Sequence, residues 1–215
     1  MKKIVIFGSG CHAKIVFSEI LKLKKYKILG FVDDFAPKKK IVVKHKNKKY
    51  LNLGKINDLK KYKKISGVIG VGSSNLRKKI YDEIKNILKD FKFEKIISKD
   101  SIIDETVEIG DGSVVVSNSI INRGTIIGKH CLINTSVSID HDNYFEDFSG
   151  TGPGVTTGGK VKVGKLSYLG IGSTIKNTVK IGKNSFIGGS SFVNKNCVDN
   201  ALYFGVPAKK IINKK

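Results

Sequence analysis

The chain has 215 residues, 40% of them hydrophobic, and a formal net charge of +22. That length allows one large domain or two small ones, and no run approaches the ~20 apolar residues of a membrane-spanning helix. The positive charge is almost entirely Lys, with Arg only at 77 and 123, and aromatics do not interleave with it; this argues against a nucleic-acid reader and for a solvated surface whose field also draws polyphosphate ligands.

Residues 2–7, KKIVIF, read as an apolar strand that starts at once, so no cleaved signal peptide is expected. The turn Gly8-Ser9-Gly10-Cys11-His12-Ala13 follows. A helix with apolar Ile15, Val16, Ile20, Leu21 and Leu23 comes next, then a strand over 28–32 that ends in Asp33-Asp34. A Gly-rich turn between strand and helix directs free backbone N–H groups at a helix N-terminus, where phosphates bind. GSGCHA meets the dinucleotide fingerprint only loosely, and such turns also serve to pack a helix closely on a strand. His12 reads equally as a phosphate donor or a plain cap.

Residues 36–64 are Lys-rich and predict a loop or short hairpin, with LGKINDL opening a small helix. Residues 67–72 form a buried strand, and Ser74 or Asn75 caps a helix running to about Asp90. A strand over 91–97 completes a Rossmann-like open sheet of about three to five strands, too short for a two-lobed dinucleotide fold.

From Ile103 to Val198 the sequence repeats in sixes without a slip of phase, in sixteen blocks. First positions are aliphatic or Phe except at Thr151 and Thr157. Fifth positions are almost all small, and second positions are often Gly (110, 128, 152, 158, 164, 170, 182, 188). A period of six matches no helix, whereas six residues make one side of a triangular prism. The first residue fills its interior, the fifth shares it, and Gly near the corner permits a strained turn backbone. The expected fold is an α/β Rossmann-like N-terminal domain (1–98), a parallel β-helix of about five coils (99–198) and a cap (199–215) that closes its last layer.

Cys11, Cys131 and Cys197 lack metal-ligand spacing and read as buried thiols in a reducing cytoplasm; no metal is expected. His45 and His130 read as solvated. His141 sits at the third position of its block, projecting outward between Asp140 and Asp142, and the next three blocks break the repeat's own rules at Phe145, Thr151 and Thr157. Broken local rules in a regular array mark a functional site. With no nucleophile elbow or activated thiol, the economical chemistry is a lone base acting on a bound nucleophile.

The segments IFGSGCHAKIV (6–16), VDD (32–34), SIDHD (138–142) and FGVPAKKI (204–211) resemble the bacterial sugar acyltransferases of the left-handed β-helix, or hexapeptide-repeat, superfamily. The closer resemblance is to the sialic-acid O-acetyltransferase and nucleotide-amino-sugar N-acetyltransferase subfamily, over essentially the full length. It implies a homotrimer that binds acetyl-CoA between neighbouring prisms, with a nucleotide-linked amino sugar on the N-terminal domain; the thiols, charge and hydropathy above add the expectation of a cytoplasmic protein with no nucleic-acid or membrane partner. By that likeness His141 is the general base for acetylation of a sugar 4-amino group, Asp142 orients it, and the Gly159 N–H faces the developing oxyanion. Gly159 and Gly189 contact the cofactor arm, Gly205, Pro207, Ala208 and Lys209 its adenine or phosphate, and Gly8, Gly10, His12, Asp33, Asp34, Ser73 and Asn75 the nucleotide sugar. Two departures stand out: Gly150 replaces a second histidine found in many relatives, and GCHAK replaces GGHAK at Cys11. The alternatives are O-acetylation of a sialic-acid-like sugar and a non-catalytic hexapeptide scaffold.

Overall fold

The computed structural model describes residues 1–213, and the chain divides into Met1–Ile96 and Ile97–Lys215. In the first unit the strands β1 (Lys2–Phe7), β2 (Tyr26–Val32), β5 (Ile65–Ile69) and β6 (Lys92–Phe93) form a parallel sheet of order β2-β1-β5-β6. The Lys-rich stretch contributes the antiparallel pair β3 (Ile41–His45) and β4 (Lys48–Leu51) and a short 3₁₀ helix, Ile56–Lys61. Ile4, Val5, Ile6 and Phe7 are all buried, the mark of a central parallel strand covered on both faces.

The helices α1 (Cys11–Leu23) and α2 (Ser74–Ile87) follow β1 and β5. α1 buries Ala13, Val16, Phe17 and Ile20, while Ile15, one of its apolar residues, is exposed. Phe17 takes the inward place, against Phe31 at 5.8 Å and Tyr50 at 4.7 Å. The cap of α2 falls one residue before the expected pair: Ser73 Oγ accepts from Leu76 N at 3.4 Å, the spacing that a cap requires. The strand expected over 91–97 divides into β6 and a second short strand, Ile96–Ile97.

The second unit is a left-handed parallel β-helix. Two-residue strands stack every eighteen residues into three parallel sheets, so that Ile121, Ile139 and Thr157 share one face and Ile127, Phe145 and Val163 another. From Val115 onward every first position is buried, as is every fifth position from Ser113. Each buried aliphatic contributes about 1.5–3 kcal/mol. Interior hydroxyls pair with the next coil: Ser113 Oγ donates to Gly128 O at 2.7 Å, Ser119 Oγ to Asn134 O at 2.8 Å and Thr125 Oγ1 to Asp140 O at 3.0 Å.

The glycines act differently from the sequence expectation. Left-handed backbone falls at the fourth position of the block, at Asn118, His130, Ser136, Asp142 and Phe148, with φ from +53° to +62°. The second-position glycines instead allow close stacking: a Cβ on Gly158 would lie 2.7 Å from Asn177 N, and one on Gly164 2.7 Å from the Gly182 carbonyl carbon. Strand Ala201–Gly205 extends one sheet beside Phe186–Ile187 and turns antiparallel into Ala208–Asn213. Its Ala201 and Tyr203 join the prism core.

Candidate active site

The turn from Asp140 to Asn143 is held at every peptide. His141 N donates to the Asp140 carboxylate at 2.8 Å, His141 O accepts from Lys160 N at 2.9 Å, and Asp142 N donates to Arg123 O at 2.9 Å. These bonds turn the imidazole outward: His141 and Asp142 have side chains 52% and 53% exposed, joined by Nδ1 and Oδ2 at 2.9 Å. The opposite ring nitrogen lies over Gly159, one coil on, where a Cβ would come within 2.5 Å of Nε2. The Gly159 N–H makes no backbone hydrogen bond among the described residues. Around the ring opens a groove of about 800 Å³, lined by a ladder of hydroxyls one coil apart (Ser138, Thr156, Thr174) together with Asp140, Lys176 and Asn177. A carboxylate on Nδ1 fixes the tautomer in which Nε2 carries the free lone pair.

The other coil residues implied by the resemblance lie elsewhere. Gly189 lies beside exposed Ile171, on the turn stack of Pro153 and Ile171, whereas His141 and Gly159 belong to the stack that continues to Thr178. Gly205, Pro207, Ala208 and Lys209 form the tip of the C-terminal hairpin, with Gly205 opposite Ala208. Gly150 is buried in a strand paired with Tyr168. Among the described residues no group of three His, Cys, Asp or Glu side chains is placed to hold a metal, and no helix is long and apolar enough to cross a membrane.

The first unit has its own cavity, of about 380 Å³, at the end of β1. It brings together Gly8, Gly10, His12, Asp33 and Asp34, but not Ser73 or Asn75. Asp33 braces the turn itself: Oδ2 accepts from Ser9 N at 2.9 Å and Ser9 Oγ at 2.6 Å, and Oδ1 from Phe35 N at 3.0 Å. Asp34 accepts from Ile56 N at 2.9 Å. Leu76 and Ile80, one helical turn apart on α2, also line the cavity; their i, i+4 spacing was the sequence signal for it. So does Phe35, which is 94% exposed and for which the sequence offers no signal.

Burial, and then the charge of Arg77, lower the His12 pKa to about 4. The folded protein therefore keeps His12 neutral where the unfolded chain, titrating near 6.5, already binds a proton. Its contribution is complete above about pH 6.5 and is lost as pH falls towards 4. The expected loss is about 1–3 kcal/mol, and His12→Gln flattens the slope of unfolding free energy against pH over that window. An unchanged slope in the variant contradicts the assignment.

His130 is a correction. It is 3% exposed, not solvated, and stacks on Phe148 at 5.0 Å and 7°, because the stacking period places the two rings one coil apart. Cys131 and Cys197 are buried, with burial pushing the Cys197 thiol up to about 12, but Cys11 is exposed at the start of α1.

Residues 3–84 match the PglD N-terminal domain. The whole chain superposes on a histidine-to-asparagine variant of perosamine N-acetyltransferase from Caulobacter crescentus, crystallised with CoA and GDP-perosamine. The TM-score is 0.88 at 25% identity, over 98% of this chain and 97% of that one. Along nearly its whole length the chain is similar to hexapeptide-repeat sugar acetyltransferases. Two further acetyltransferase-fold structures align along nearly their full lengths. The acetyltransferase domain of PglB from Neisseria gonorrhoeae FA1090 has a TM-score of 0.88 at 23% identity, covering 98% of this chain and 100% of that one. WeeI from Acinetobacter baumannii AYE has 0.83 at 21%, covering 97% and 99%. An N-terminal α/β unit followed by coils is thus a fold that this chain shares with these structures.

Proposed function

We propose that the protein transfers an acetyl group from acetyl-CoA to the 4-amino group of a nucleotide-linked amino-deoxy sugar, in the cytoplasm, for assembly of a bacterial surface glycan. The observation that carries this reading is the outward His141, held at Nδ1 by Asp142 with Nε2 poised over Gly159. Nε2 takes a proton from the sugar amine as the nitrogen attacks the thioester carbonyl. The Gly159 N–H receives the developing oxyanion. Collapse forms the amide, breaks the carbon–sulfur bond and returns the proton from His141 to the departing thiolate.

Acetyl-CoA fits the coil surface: a turn N–H without a backbone acceptor faces the open groove, and apolar Ile171 and Val206 are exposed beside Gly189 and the hairpin tip. Because Gly159 and Gly189 lie on different turn stacks, a cofactor touching both is best held between two copies, which favours the homotrimer. Exposed Ile102 and Ile120 supply apolar surface for such packing. The cavity at Gly8, Gly10 and His12 is the proposed nucleotide site, with the α1 N-terminus offering N–H donors to phosphate.

The test is incubation with acetyl-CoA and a panel of nucleotide-linked 4-amino sugars and free nonulosonates, followed by mass spectrometry and thiol release. Acetamide formation on an amino sugar is expected. An acetyl ester on a nonulosonate, with no amine product, replaces this reading by O-acetylation; no transfer to any acceptor refutes it. Gly159→Ala provides a sharper probe. Its Cβ meets the imidazole while its backbone lies outside the left-handed region, so kcat is expected to fall about 10²-fold with the thermal midpoint nearly unchanged. Equal turnover in that variant contradicts the placement of the ring.

A further inference from the structure

We propose that Asn143 is the positioning residue that aims both the base and the oxyanion donor; this rests on the His141 reading above. Asn143 occupies the inward fifth position, where Ser, Thr, Cys and Val are the usual residents, and is 1% exposed. A hydroxyl at this position reaches one carbonyl of the next coil, as Ser113 and Thr125 do, or adds one of its own turn, as Ser119 does with Val116 O at 2.9 Å and Asn134 O at 2.8 Å. The Asn143 amide reaches three, two of its own turn and one of the next coil: Nδ2 shares its two hydrogens among Asp140 O at 2.7 Å, His141 O at 3.1 Å and Gly158 O at 3.0 Å.

Each of these carbonyls belongs to a peptide that matters. The Asp140 and His141 carbonyls flank the base on both sides, so the amide fixes the direction in which its side chain leaves the backbone. The Gly158 carbonyl shares a peptide plane with the Gly159 N–H. In a trans peptide the C=O and N–H point in opposite directions. Holding the Gly158 oxygen toward the prism interior therefore directs the Gly159 N–H outward, into the groove beneath Nε2. One buried amide sets the base and the donor, one coil apart, in a common frame. Its own Oδ1 has no hydrogen-bond partner among the described residues. Asn143 is thus an imperfect occupant of a buried position, kept for its donors.

The experiment compares Asn143→Val and Asn143→Ser in the wild-type and His141→Asn backgrounds, with kcat, both KM values and the thermal midpoint measured for each. Val and Ser are ordinary occupants of the fifth position, and Ser retains reach to one or two carbonyls, as Ser113 and Ser119 do, but not to three. Asn143→Val is expected to lower kcat about 10²-fold, with both KM values within a few-fold and the midpoint unchanged or higher. Asn143→Ser is expected to fall between it and wild type. In the His141→Asn background the same change is expected to cost much less, because the base it aims is already gone. Near-wild-type kcat for Asn143→Val, or an equal fold-loss in both backgrounds, overturns the proposal while leaving the base reading intact. A His141→Asn enzyme with near-normal turnover instead sinks the base reading, and this proposal with it. If Asn143→Val does not fold, the Asn143→Ser comparison carries the same test.

Discussion

His141→Asn is expected to lower kcat by about 10²–10⁴-fold, the range that a positioned general base supplies, while the thermal midpoint and CoA affinity stay near wild type. The stability half follows from exposure. The side chain is 52% exposed and its bond to Asp142 links two surface groups, so its replacement falls among surface changes worth within about 0.5 kcal/mol. The rate half follows from chemistry. An Asn amide can still donate to Asp142, but it cannot take a proton from an attacking amine. Approximation of two bound substrates, worth ~7–11 kcal/mol, survives the substitution, so residual transfer should remain above the uncatalysed rate. Steady-state kinetics with calorimetric CoA binding checks both halves. Turnover near wild type refutes the base assignment, and loss of CoA binding would show that the ring serves the cofactor instead.

The coils were legible in the sequence because each block reports its own orientation. An apolar first position and a small fifth position carry the same message through nearly all sixteen blocks, and burial follows that phase from Ser113 on. What a one-dimensional reading misses is contact between coils. Gly158 and Gly164 look like turn glycines, but their neighbours nineteen and eighteen residues on, Asn177 and Gly182, leave no room for a Cβ. His130 looks solvated until Phe148 is set beneath it. Adding eighteen to each residue recovers these contacts to within one position, and the hydroxyl ladder and the His141–Gly159 pair directly. Asn143 escapes even that rule, since only the three carbonyls on one amide disclose its role. In the first unit the Gly-rich turn and the acidic pair were legible. The commitment of Asp33 to Ser9 was not, because it depends on the side-by-side placement of β1 and β2.

Phe145→Ala is expected to destabilise the coils by about 3–5 kcal/mol, the range for removing a large buried aromatic. Phe145 is fully buried in the prism and paired in register with Ile127 and Val163. The small residues that share the interior cannot expand into the space it leaves, and main-chain bonds at Gly128 and Glu146 hold the layers at fixed height. The cavity therefore stays open and its lining loses dispersion contacts. In a solenoid each coil touches only its neighbours, so the damage should be local. Amide exchange is expected to accelerate most at Ile127, Phe145 and Val163 and least at Ile187, with Phe145→Leu restoring most of the protection. Uniform acceleration along all the coils would mean that the prism unfolds as one cooperative body. Acceleration confined to the coil that carries His141 would instead locate the site on a separable layer, whose stability can be tuned without unravelling the rest.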